Sequence, residues 1–224
     1  MSPSLRQALQ AGLLLGLVAL VAVSLLASIA HLTAPRIAEA ERAARLQALA
    51  DVMPAGAWDN DPLSDRIQVL APAWLGQAQP AAVWRARRDG TPVQLVVEAT
   101  APRGYSGPIR LLVGVDRDRR VVGVRVLAHQ ETPGLGDGIE RRRSDWIEAF
   151  DGRGLQDPPR SRWRVRRDGG DFDQFTGATI TPRAVVAAVA SALAFVEAHE
   201  PALYAAPAGS TLDFPDAPSD LPRR

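Results

Sequence analysis

Two short stretches of this chain carry residue types and spacings that could do chemistry. In Glu131-Thr132-Pro133-Gly134-Leu135-Gly136-Asp137-Gly138, three glycines fall within five positions directly after a predicted strand. Backbone stripped of side chains lets N–H groups come close to a planar ring or an anionic group. The spacing is neither the GxGxxG fingerprint nor a Walker loop, which also needs a Lys, and a tight surface turn would use the same residues. The second stretch, Asp173-Gln174-Phe175-Thr176-Gly177-Ala178-Thr179-Ile180-Thr181-Pro182, runs straight into an apolar helical pattern. Its small residues expose threonine hydroxyls, and a helix start offers unpaired N–H groups at the positive end of the dipole. A phosphate near Thr179 would be favoured there, and an ordinary N-cap satisfies the same pattern.

Composition narrows what that chemistry could be. The 224 residues contain no cysteine, so disulfides, thiolate metal sites and iron–sulfur ligation are excluded, and redox chemistry would have to come from an organic cofactor. His31, His129 and His199 are scattered and make no recognisable metal site. Ser106 lies in Gly-Tyr-Ser-Gly, without the spacing of a nucleophile elbow. The net charge of +1 argues against nucleic acid as a partner. Arg141-Arg142-Arg143 and Arg164 with Arg166-Arg167 read as solvated faces that could touch partner subunits or anionic lipid. Trp84, Trp146 and Trp163 read as core.

The elements that must position the two loops follow from periodicity. Residues 11–32 are almost wholly apolar and uncharged, and about 20 such residues cross the hydrocarbon of a bilayer. They read as a transmembrane helix after a short N-terminus, residues 1–10, on the cytoplasmic side. The alternative is a cleaved signal peptide, with Arg6 in its basic region, but its apolar core would be too long. Past Pro35, Ile37, Ala40, Ala44, Leu49 and Val52 recur at helical spacing, predicting an amphipathic helix over 33–54. Residues 55–80 read as a connector with at most one short strand. Strands are predicted over 81–88 and 91–101, joined by the hairpin dipeptide Asp89-Gly90, then over 109–115 and 121–128. A short helix over 144–150 has Ser144 as its cap, and 163–167 reads as a further strand. The last helix has Thr181 as cap and Pro182 at its first position, and runs to His199. From 201 to 224 the chain holds too few apolar residues to offset the entropy of ordering it, and is expected to be disordered. The fold class is therefore α+β: one N-terminal helix, then a single domain over 55–200 with a mainly antiparallel sheet and packed helices.

Taken in order, the two loops resemble those of the covalent-FMN domain in the G subunit of Rnf-type electron transport complexes. The C subunit of the sodium-translocating NADH:quinone reductase shares that domain. The likeness extends to Val52-Met53-Pro54, to Gly104-Tyr105-Ser106-Gly107-Pro108-Ile109 leading into Leu112-Val113-Gly114, and to His129 through Gly136. It also takes in the Trp146 helix and Asp168-Gly169-Gly170, so that it spans about residues 1–200. The resemblance implies that Thr179 is esterified to the phosphate of FMN by a flavin transferase that uses FAD. It implies that Asp173, with Gly177, Ala178 and Thr179, forms the transferase recognition motif. It further implies that Glu131, Thr132, Leu135 and Gly136 contact the flavin, with Thr176, Gly177 and Ala178 beside it. Thr176 stands where the family often has Ser, and Thr176 and Thr181 are rival attachment sites. The expected protein is an electron-transfer subunit with other membrane subunits as partners, in a complex coupling ferredoxin/NAD-type electron transfer to ion translocation. The alternatives are a membrane-anchored redox-sensing FMN domain, the C subunit of the sodium-translocating NADH:quinone reductase, and a cofactor-free periplasmic scaffold that uses the threonine loop only as a helix cap. Arg36, Arg42 and Arg45 after the anchor, against Arg6 before it, place the domain in the cytoplasm by the positive-inside rule. The resemblance places it on the periplasmic side of a bacterial inner membrane.

Overall fold

The computed structural model describes residues 3–53 and 56–215. The chain divides into two units, Met1–Arg45 and Leu46–Arg224. Helix α1, Pro3–Ala50, continues through Pro35, where two helices were expected. One proline removes a single backbone donor, and the Ala, Glu, Arg and Leu residues that follow are strong helix formers. Within it Gly12–Arg36 is long and apolar enough to cross a membrane, and Leu14, Leu17, Val21 and Leu25 are all exposed.

The second unit is built on β1 (Arg66–Leu70), α2 (Pro72–Leu75), β2 (Ala81–Arg88), β3 (Thr91–Ala101), β4 (Ile109–Asp116) and β5 (Val121–Ala128), followed by short 3-10 turns, α3 (Ile180–Ala205) and β6 (Thr211–Asp213). The described strands form one six-stranded sheet in the order β5-β4-β3-β2-β1-β6. Every neighbouring pair is antiparallel except β1 with β6, so the expected α+β class holds. The β2–β3 hairpin turns at Asp89-Gly90 with φ of 50° and 73°, the left-handed pair that this dipeptide favours.

The strands look nearly continuously apolar because both sheet faces are covered. Val83, Leu95, Val97, Leu111 and Val113 point into the larger core with α3 residues Val185, Val189, Leu193 and Val196. The alternate residues Ala82, Trp84, Val96 and Leu112 point into a smaller core with Leu49, Val52 and Met53. On that second face Gly114 and Gly123 pair across β4 and β5 and leave space for the backbone of residues 51–53. A Cβ on Gly114 would sit 2.5 Å from the Val52 carbonyl oxygen, and one on Gly123 would sit 3.3 Å from that of Asp51. The Gln94 side-chain amide donates to the same Val52 oxygen.

Two local expectations are corrected. Residues 163–167 form no strand: 3-10 turns at Arg160–Arg162 and Arg166–Asp168 flank a lone bridge between Val165 and Phe172. The chain doubles back there, with Arg166 N donating to Phe172 O at 2.7 Å, so its backbone groups are satisfied locally. The stretch from 201 is not disordered as far as the described residues run. α3 continues to Ala205, β6 pairs with β1 through Leu212 and Val69, and Phe214 packs 5.4 Å from Phe195 and 4.3 Å from His199. Five residues, Leu203, Tyr204, Ala206, Leu212 and Phe214, join the core, so a few apolar contacts at the right places were enough. Residues 216–224 of that expected tail, and Pro54 at the end of the expected amphipathic helix, lie outside the described residues.

Arg85 ties these parts together. It is 1 % exposed, and its guanidinium donates to the carbonyl oxygens of Leu203, at 3.1 Å, and Ala206 at the end of α3. It also pairs with Asp65, which accepts from Arg87 Nε at 2.7 Å as well. A cation at a helix C-terminus meets both the orphan carbonyls and the negative end of the dipole.

Candidate functional site

The glycine loop and the threonine loop, over 40 positions apart in sequence, meet at Glu131. Its side chain is buried at 4 % exposure. Oε1 accepts from Ser106 N at 3.0 Å; Oε2 accepts from Tyr105 N at 3.2 Å and from the hydroxyl of Thr181. Three segments of chain thus converge on one carboxylate: the loop between β3 and β4, the loop after β5, and the first turn of α3. Gly136 permits the approach, since a Cβ there would lie 2.9 Å from Glu131 Cβ and 3.0 Å from Thr181 Oγ1.

The glycine loop is braced from behind. His129 Nδ1 accepts the Glu131 N–H at 3.0 Å, and His129 Nε2 lies 2.7 Å from Glu140 Oε1. Because Nδ1 accepts, Nε2 carries the proton donated to Glu140. The Arg142 guanidinium bound to Glu140 holds that carboxyl down at about 2; burial opposes the effect and His129 adds to it. Asp137 Oδ1 accepts from Gly134 N at 2.8 Å, and Thr132 O accepts from Leu135 and Gly136. Thr132 and Leu135 face outward.

Phe175-Thr176-Gly177-Ala178 is a turn closed by Ala178 N donating to Phe175 O at 3.1 Å. Gly177 stands at φ 81°, the positive value that its position demands. Phe175 plugs the turn into the fold: its ring comes within 3.0 Å of where a Cβ on Gly138 would be, and it meets Trp146 edge-on at 5.3 Å. Trp146 in turn meets Phe150 at 5.4 Å, and Phe150 stacks on Phe172 at 4.8 Å. Trp146 lies in the 3-10 helix Asp145–Phe150, capped by Ser144 as expected, and is only partly buried; its Nε1 donates to Asp173 O at 2.8 Å. Asp173 is exposed and pairs with Arg166 at 3.0 Å. Trp84 and Trp163 are buried, as expected for core.

The start of α3 differs from expectation. The helix begins at Ile180 with Thr179 as its N-cap residue, and the Thr179 side chain makes no capping hydrogen bond. Thr181 is not the cap. It is fully buried and its hydroxyl is committed to Glu131. Pro182 still lies in the first turn, where its missing N–H costs nothing. Thr179 and Ala178 are half-buried, and Thr176 and Gly177 are exposed. The structure therefore gathers Glu131, Gly136 and Thr181 into one contact and presents Thr176 and Thr179 at its edge. Phe175 and the Glu131–Thr181 pair carry no signal readable from sequence alone, because an aromatic or carboxylate in a loop is too common to single out.

An apolar N-terminal helix ahead of an α+β unit with these two apposed loops defines a class, and comparison with known proteins gives that class its family. Residues 104–194, which include both loops, match the FMN-binding domain, and residues 1–52 match the RnfG N-terminal region. The chain is 50 % identical over 200 residues to the G subunit of the ion-translocating oxidoreductase complex of Pseudomonas aeruginosa (strain UCBPP-PA14), covering 89 % of this chain and 94 % of that protein. It is 46 % identical over 196 residues to the subunit of the same description in Vibrio cholerae serotype O1 (strain ATCC 39541 / Classical Ogawa 395 / O395), covering 88 % and 93 %. Against that of Pseudoalteromonas atlantica (strain T6c / ATCC BAA-1087) it is 45 % identical over 195 residues, covering 87 % and 91 %. The chain belongs to the family of G subunits of ion-translocating oxidoreductase complexes.

Proposed function

We propose that this protein is the FMN-carrying electron-transfer subunit of an ion-translocating oxidoreductase complex, with the flavin joined to Thr179 as a phosphoester. The observation that carries the choice of residue is the division of labour at the start of α3. The Thr181 hydroxyl is buried and spent on Glu131, whereas the Thr179 hydroxyl caps nothing and is partly accessible. The donor set fits a phosphate at that position: the early N–H groups of a 26-residue helix point toward its N-cap, and the dipole favours an anion there. Outward-facing Thr132 and Leu135, with the exposed Thr176-Gly177 turn, supply the adjoining surface for the ring, and Gly136 permits the close approach of the two loops.

Bound FMN would supply one- and two-electron redox chemistry. The chain's own part is to hold and orient it, and no general base is needed for that. Asp173, Gly177, Ala178 and Thr179 would be read by a flavin transferase during maturation, and the exposed apolar stretch Gly12–Arg36 would anchor the protein in the inner membrane with the FMN-binding unit on the periplasmic side. The other subunits of the complex would be its electron partners, in ferredoxin/NAD-type chemistry. The isolated chain would turn nothing over.

The test is co-expression of the full chain with a flavin transferase, followed by in-gel flavin fluorescence under denaturing conditions and peptide mass spectrometry. Thr179→Ala should abolish the fluorescent band and Thr176→Ala should retain it. A fluorescent Thr179→Ala band would overturn the assignment.

A further inference from the structure

Glu131 and Thr181 occupy an arrangement that a stabilising contact alone does not require. The carboxylate already has two backbone N–H donors, from Tyr105 and Ser106, so its burial is compensated before the threonine contributes. The Thr181 hydroxyl adds the one bond that reaches across to α3, from a residue two places after the N-cap position of Thr179. Helical geometry fixes Thr179 relative to Thr181 once the first turn has formed. Gly136 is pressed against both partners, so the glycine loop is indexed to the same point. Phe175 holds the other end of the threonine loop against Gly138 and Trp146.

We propose that the Glu131–Thr181 pair is a positioning clamp that sets the Thr179 hydroxyl for flavin attachment. This rests on the reading of Thr179 as the attachment residue. In that step Thr179 Oγ1 forms a P–O bond to the FMN phosphate of FAD, the pyrophosphate P–O bond breaks, AMP leaves and the hydroxyl proton is lost. Neither clamp residue touches the reacting atoms. Glu131 acts through Thr181 and the first turn of α3, which differs from the direct flavin contact that family resemblance implies for it.

The test uses the purified, unflavinylated full chain as substrate for a flavin transferase at saturating FAD. Thr181→Val keeps the shape, leaves Glu131 its two N–H donors and removes only the crossing bond. It should slow attachment by roughly ten- to a hundredfold, the cost of a misplaced nucleophile. Thr181→Ser restores the hydroxyl and should return the rate to within about twofold of wild type. Hydrogen exchange followed by mass spectrometry supplies a second readout: Thr181→Val should speed exchange over residues 174–183 and leave β2–β4 as slow as in wild type. A general loss of stability would instead speed exchange throughout the sheet, and that result would overturn the clamp. So would attachment to Thr181→Val at the wild-type rate, or a Thr181→Ser rate tenfold or more below wild type. Thr179→Ala in the wild-type clamp background separates the two ideas. Flavin attached to that variant sinks the attachment reading, whereas loss of attachment there beside normal rates in both Thr181 variants sinks the clamp alone.

Discussion

At the scale of single residues, the contact at the centre of the site joins polar groups far apart in sequence, and this decides what could be read in advance. Thr176, Thr179 and Thr181 were visible as candidates because small residues around a hydroxyl ahead of an apolar helix are unusual. Which hydroxyl is already engaged was not visible, since the partner of Thr181 is 50 positions earlier. Glu140 gives a prediction at the same scale. Arg142 and then His129 hold its carboxyl near 2 against an ordinary 4.5, so the folded state binds its proton later than the unfolded chain. The stability this contributes is fully present above about pH 4.5 and is lost as pH falls toward 2. Urea midpoints of wild type and Glu140→Gln, measured from pH 7 down to pH 3, should therefore differ most at neutral pH and converge below about 4.5. A gap that stays constant across that range would show that Glu140 is not titrating as the structure requires.

Elements were legible where one local rule dominates. The hairpin at Asp89-Gly90 and the four strands β2–β5 follow from alternation and turn chemistry that each segment carries within itself. Where neighbours decide, reading the sequence failed: α1 runs through Pro35, 163–167 folds back on itself instead of pairing, and β6 exists only because β1 offers it an edge. The paired glycines of β4 and β5 were likewise silent, since a strand glycine signals a bulge as readily as a docking window. Their role makes a graded prediction. Gly114→Ala should destabilise the domain by about 1–3 kcal/mol, because its Cβ would press on the Val52 carbonyl and the Gln94 amide, and Gly123→Ala should cost clearly less. Thermal midpoints of the two variants would test this, and the opposite ranking would mean that residues 51–53 do not dock there.

For the whole molecule, the absence of cysteine turns into an experimental convenience. Asp118, exposed in the β4–β5 turn, can be replaced by Cys as the chain's single thiol. If the FMN-binding unit is periplasmic, a membrane-impermeant maleimide should label Asp118→Cys in intact spheroplasts; labelling only after lysis would reverse the orientation and restore the reading that Arg36, Arg42 and Arg45 favour. Topology also orders events in time. Arg85 comes from the second strand, but two of the carbonyls it needs belong to residues 203 and 206, and the edge of β1 waits for residues 211–213. A buried guanidinium without its acceptors is strongly unfavourable. A polypeptide in which residues 203–213 are not yet in place therefore has no stable version of this architecture to settle into, so the two ends of the sheet-bearing unit must come together before either is secure.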